Sequence, residues 1–122
     1  MRQEDIIKEA IKSAIDNNIR IVRGPILSYD KTRIHACNAF GALLIKNNKT
    51  DIVGKKGWLI ELCNILDVNG IWWLFRFTVG FDNLNQIFIE KLTEGGASTY
   101  EELDSVSRLG IKLAKLYTLK DK

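Results

Sequence analysis

Ile71-Trp-Trp-Leu-Phe-Arg-Phe-Thr-Val-Gly-Phe81 is the most apolar stretch of the chain, and its reading decides the fold. Its 11 residues fall short of the ~20 that a membrane-spanning helix needs. Arg76 stands in its middle, where hydrocarbon would penalise a charge. A helix with no polar face is a buried one. The stretch is therefore expected as the central helix of a bundle, from Gly70 to about Val79, with Asn69 as its N-cap.

Working outward, Trp58 to Val68 reads as a helix with Leu59, Leu62, Cys63, Ile65 and Leu66 inward. Before it, Cys37 to Ile45 reads as another, with Ala36, Ala39, Phe40, Leu43 and Leu44 on one face. The small residues Ala39, Gly41 and Ala42 admit a close neighbour. Lys46-Asn-Asn-Lys-Thr50 ends that helix, and a polar loop runs to Gly57. At the start of the chain, Ile6, Ile7, Ala10, Ile11, Ala14 and Ile15 recur at three-and-four spacing, predicting a helix from Gln3 to Asn17. Between these helices, Ile26-Leu-Ser-Tyr29 and Arg33-Ile-His-Ala36 flank the polar turn Asp30-Lys-Thr32, a short β-hairpin. Downstream, Leu84 to Leu92 is a further helix or extended piece, and Gly95-Gly96 a hinge. Thr99-Tyr-Glu-Glu102 fits a capping box. It opens a last helix lined by Leu103, Val106, Leu109, Leu113, Ala114 and Tyr117. The expected fold is mainly α: a single domain over residues 1–122, a helical bundle around a buried central helix with one short β-hairpin.

Composition sets the outer bounds. The 122 residues are 46% hydrophobic and 27% charged, with one Pro and two Cys. That balance excludes wholesale disorder, a collagen-like chain and a disulfide scaffold. The opening Met1 to Ala10 is charged where a secretory signal needs an apolar run. A cytoplasmic, reduced protein is expected.

Three stretches in order, Arg23-Gly-Pro-Ile-Leu27 with Arg33 to Leu44, Leu62 to Asn69 with Gly80-Phe-Asp82, and Leu109-Gly110 with Leu113, resemble small uncharacterised bacterial and bacteriophage proteins. Those carry a Cys-x-Ala-Leu-Gly-Ala-Leu segment and a later Gly-Phe-Asp segment. Here Phe40 replaces the Leu, and Asn83 stands where a Gly is usual. The resemblance spans roughly residues 20 to 115 and implies a helical fold with a small hairpin. It implies no activity.

Few residues suggest chemistry. His35 and Cys37 are alternate residues of a strand and so could meet on one side. A thiol there would also stand near a helix N-terminus, whose dipole lowers a thiol pKa, so the pair fits a nucleophile with an imidazole base. No third orienting group is evident, and a Cys opening an apolar helix is ordinary packing. His35, Cys37 and Cys63 are too few and wrongly spaced for a structural zinc, so no metal is expected. No nucleotide-binding glycine motif occurs, and Gly54-Lys-Lys-Gly57 lacks the spacing of a phosphate cradle. No cofactor is implied. Glu101, Glu102 and Asp104 complement the dipole of the last helix. Arg76 and Asp82 could pair in a cleft.

Charge is uneven. Residues 20–56 hold eight cations and two acids, a net +6, against −3 elsewhere. Arg20, Arg23, Arg33, Lys55 and Lys56 are the candidate basic face for a phosphate backbone, although aromatic residues for base stacking are not interleaved. Leu62 to Phe75 has the look of a helix-turn-helix, with Cys63 inside, Asp67 at the turn and Asn69 as cap. Its second helix offers essentially Arg76 and Thr78 to a groove, too little to read bases.

The expected function is therefore non-enzymatic: a module that binds a protein partner or itself and has no place in a membrane. Trp58 and Trp72 (or Trp73) are the candidate aromatic contacts, the alternative being that all three are core. Weak nucleic-acid binding through the basic 20–56 face and a thiol-dependent enzyme at His35 and Cys37 are the alternatives.

Overall fold

The computed structural model describes residues 2–82 and 100–118, without the side chains of 100–104. The expected helix or strand over Leu84 to Leu92, the Gly95-Gly96 hinge, Thr99 of the capping box and the acidic side chains of 101–104 lie outside the described residues. The described chain is mainly helical, with one small sheet. It divides into two compact units, residues 1–69 and 70–122.

In the first unit, helix α1 covers Gln3–Asp16 and buries Ile7, Ala10, Ile11 and Ala14. Ile15, expected on that face, is exposed. Strands β1 (Arg20–Ile21), β2 (Leu27–Asp30) and β3 (Arg33–Cys37) form a sheet in the order β1-β3-β2. The hairpin of β2 and β3 matches expectation, and the third strand corrects it. Arg20 and Ile21 pair in parallel with Ala36 and Cys37. Cys37 thus completes the sheet instead of opening the next helix.

The register sorts the sheet's two faces, because directly paired residues point the same way. Ile21, Leu27, Tyr29, Ile34 and Cys37 share one face; Arg20, Ser28, Asp30, Arg33 and Ala36 share the other. Between the pairs Ser28–Ala36 and Tyr29–Ile34 the register slips by one, and His35 is the extra residue of a bulge.

Helix α2, Ala39–Lys46, begins two residues later than expected. Its N-cap is Asn38, a buried residue whose side-chain oxygen accepts the Gly41 N–H at 2.9 Å. The same side chain donates to the Gly24 carbonyl at 3.3 Å, and the Asn38 N–H donates to that of Ile26. One residue thus closes the helix end and pins the loop before β2. Gly41 is required there: a Cβ would run into the Ile26 carbonyl oxygen and stand 2.7 Å from the Cys37 Cβ. All six residues from Ala39 to Leu44 are buried, so α2 is enclosed on every side.

A 3-10 turn at Thr50–Ile52 leads to helix α3, Trp58–Leu66, which buries Leu62, Cys63 and Leu66. Asp67 ends α3 in the left-handed region, φ 55°. The Gln3 side-chain amide donates to the Leu66 and Asp67 carbonyls at 3.1 and 3.3 Å. It satisfies two of the acceptors that a helix C-terminus leaves open.

The second unit pairs helix α4, Ile71–Phe81, with helix α5, Tyr100–Tyr117. The N-cap of α4 is Gly70 in extended conformation, not the expected Asn69, and no side chain caps it. Trp73, Phe77 and Phe81, one turn apart, stack along the helix with ring centroids 5.5 and 5.7 Å apart. Such pairs add ~1 kcal/mol each beyond burial. The helices touch backbone to backbone. A Cβ on Gly80 would strike the Ser107 carbonyl oxygen, and one on Gly110 would stand 2.6 Å from the Phe81 nitrogen. The Ser107 hydroxyl donates to the Arg76 carbonyl at 3.3 Å.

Candidate functional site

The face of α4 turned away from these contacts is apolar and wet. At 100° per residue, Ile71, Phe75, Thr78 and Asp82 fall on one line. Phe75 is 49% exposed and Ile71 42%, while Thr78 and Asp82 are half-buried. Two large apolar side chains one turn apart are open to solvent on a helix with seven buried residues. Trp72 borders the stripe, half-buried, with the Arg76 guanidinium 4.5 Å above its ring. Arg76 is itself buried, with 1% exposure. A cation held on an indole face gains ~1–2 kcal/mol when desolvated.

Arg76 and Asp82 are six residues apart along α4 and its cap. That sets them ~9 Å apart along the axis and ~120° apart around it. Asp82 ends the helix, its N–H donating to the Thr78 carbonyl at 2.8 Å.

Of the tryptophans, Trp58 and Trp72 are half-buried and Trp73 is buried. The more exposed apolar side chain at the start of α3 is Ile60, 61% exposed. Residue type alone drew attention to Trp; the i, i+4 pair of Ile71 and Phe75 in a helix without a polar face was the signal for the stripe.

The candidate basic residues come from several elements of the first unit. Arg20 and Arg33 share the polar face of the sheet with Asp30, and both are exposed. Arg23 is half-buried in the segment after β1, and Lys55 and Lys56 are exposed in the loop beyond the far end of α2. Folding also brings acids to two of the other cations. Lys49 meets Glu61 at 2.9 Å and Lys46 meets Glu9 at 3.7 Å, both acids lying outside the 20–56 segment. Over residues 1–69, eleven cations against eight acids leave a net +3.

The bulge at His35 interrupts the alternation that would align it with Cys37, and no hydrogen bond joins the two. His35 is exposed; Cys37 is buried at the foot of α2. Burial pushes the Cys37 thiol up to about 12, and that of Cys63 upward as well. Desolvation outweighs the pull of the nearby helix N-terminus, so Cys37 is a neutral thiol at physiological pH. Among the described residues, no three His, Cys, Asp or Glu side chains come together as a metal site, and no helix is long and apolar enough to cross a membrane.

Comparison with protein-family models, with curated proteins and with solved structures finds no match.

Proposed function

We propose that this protein is a non-enzymatic interaction module that associates with a second copy of itself or with another protein through the Ile71–Phe75 stripe of α4. The observation that supports this reading is the exposure of Phe75, at 49%, beside Ile71 on a helix whose opposite side is fully packed. Covering a large apolar side chain is worth ~1.5–3 kcal/mol, and contact surfaces concentrate such side chains near their centres. Trp72, stiffened by Arg76, supplies a rigid margin for the contact.

Sedimentation velocity over a wide concentration range tests it, on the native chain and on Phe75→Glu. Self-association predicts a mass that rises with concentration in the native chain and stays monomeric in the variant. If the native chain is monomeric throughout, a photo-crosslinker placed at residue 75 in cells tests for a different partner. No adduct at 75, with Ile60 as control position, removes the reading.

A further inference from the structure

Asn69-Gly70 is the one Asn-Gly pair in the sequence. We propose that it is a site of spontaneous backbone modification in the folded protein, at which Asn69 is converted through a cyclic imide into aspartate and isoaspartate.

The reaction needs three things of the fold: an amide side chain free to turn, a following N–H free to lose its proton, and room at that nitrogen. Asn69 is exposed, and its side chain makes no hydrogen bond with the described residues. The Gly70 N–H is likewise without an acceptor among them, since α4 begins its ladder later, with the Trp73 N–H donating to the Gly70 carbonyl. Gly70 is extended, φ −172° and ψ 162°, and carries no Cβ; one there would meet the Trp72 ring at 3.0 Å, so only glycine leaves the nitrogen open.

No other described asparagine meets all these conditions. Asn17 and Asn47 tie their side chains to the Ser13 and Leu43 carbonyls. Asn38 is buried with both side-chain atoms engaged. After Asn18 and Asn48, the next N–H donates to the Ala14 and Leu44 carbonyls at 2.9 and 2.8 Å. Asn64 lies inside α3, where the following N–H belongs to the helix ladder.

The chemistry balances with water as the only co-reactant. The Gly70 nitrogen gives up its proton and bonds to Cγ of Asn69; the Cγ–Nδ2 bond breaks, and ammonia leaves with the proton. Water then opens the five-membered ring. Cleavage at Cγ gives aspartate; cleavage at the main-chain carbonyl gives isoaspartate, with one more carbon in the backbone. Either product puts a carboxylate just ahead of α4, where the helix dipole favours a negative charge two residues from Ile71. The modification is independent of the contact proposed for that helix.

The test is peptide mapping of the whole chain after incubation at mildly alkaline pH, native and in guanidinium. The tryptic peptide from Gly57 to Arg76 holds both Asn64 and Asn69, so fragment masses assign the exchange of NH2 for OH, and isoaspartyl methyltransferase labelling detects the rearranged product. The expected result is conversion at residue 69 ahead of every other Asn, at native rates comparable with those of the unfolded chain. Asn69→Gln should lose the product with the fold unchanged by circular dichroism. Conversion seen only after unfolding, or no faster at 69 than at 64, overturns the proposal.

Discussion

Replacing Asn38 by Ala should cost the first unit ~2 kcal/mol. The side-chain oxygen caps α2 through the Gly41 N–H at 2.9 Å, and loss of such a cap costs ~1 kcal/mol. The side-chain amide holds the Gly24 carbonyl at 3.3 Å, a second bond worth ~1 kcal/mol net. The cap to Gly41 is buried, so water cannot replace it, whereas the Gly24 carbonyl lies at the surface. Asn38→Ser keeps an oxygen for the cap and cannot reach Gly24, so it should recover about half of the loss. Urea unfolding followed by far-ultraviolet circular dichroism measures both; with an m-value of ~2 kcal/mol/M, the Ala variant moves the midpoint down by ~1 M. An Ala variant within ~0.5 kcal/mol of the native chain, or a Ser variant no better than Ala, would refute the assignment of Asn38 as cap and loop clamp.

Gly80→Ala and Gly110→Ala should each destabilise the α4–α5 pair by ~1–3 kcal/mol, because the new methyl strikes backbone and not a movable side chain; thermal unfolding reads this. His35→Ala should stay within ~0.5 kcal/mol, since His35 is an exposed bulge residue. Cys37 should resist iodoacetamide at pH 8 in the folded chain and react on unfolding. Because its folded-state pKa is raised, from 9.0 to about 12, the neutral thiol favours the fold fully below pH 9. That contribution should fade as pH climbs toward 12, read as a falling urea midpoint in Cys37 relative to Cys37→Ala. Trp72→Leu should cost ~1–2 kcal/mol by removing the ring beneath the buried Arg76.

Much of the helical framework was legible because it is local. The three-and-four spacing from Ile6 to Ala14 predicts α1 almost to its ends. What escaped depends on partners distant in sequence. β1 is two residues long and exists only through its parallel pairing with Ala36 and Cys37, which in turn delays the start of α2. The basic 20–56 segment reads as +6 only while Glu9 and Glu61 are ignored. The extra residue at His35 gives no signal of its own in the sequence, so simple strand alternation misses the bulge that interrupts it between His35 and Cys37. For α4, apolar composition predicted burial on nearly every side; seven of its residues are buried, while Ile71 and Phe75 keep one greasy edge in water.

The bulge at His35 also acts as a stop on the hairpin. A strand pair that slides by one residue exchanges its inner and outer faces, and here sliding would carry Arg33 inward and Ile34 out. The surplus residue can sit at only one place without breaking the pairs on both sides of it, so the two strands lock at a single setting. The local coiling it adds turns the outer rim of β2 away from the straight line another ribbon would need in order to zip onto it.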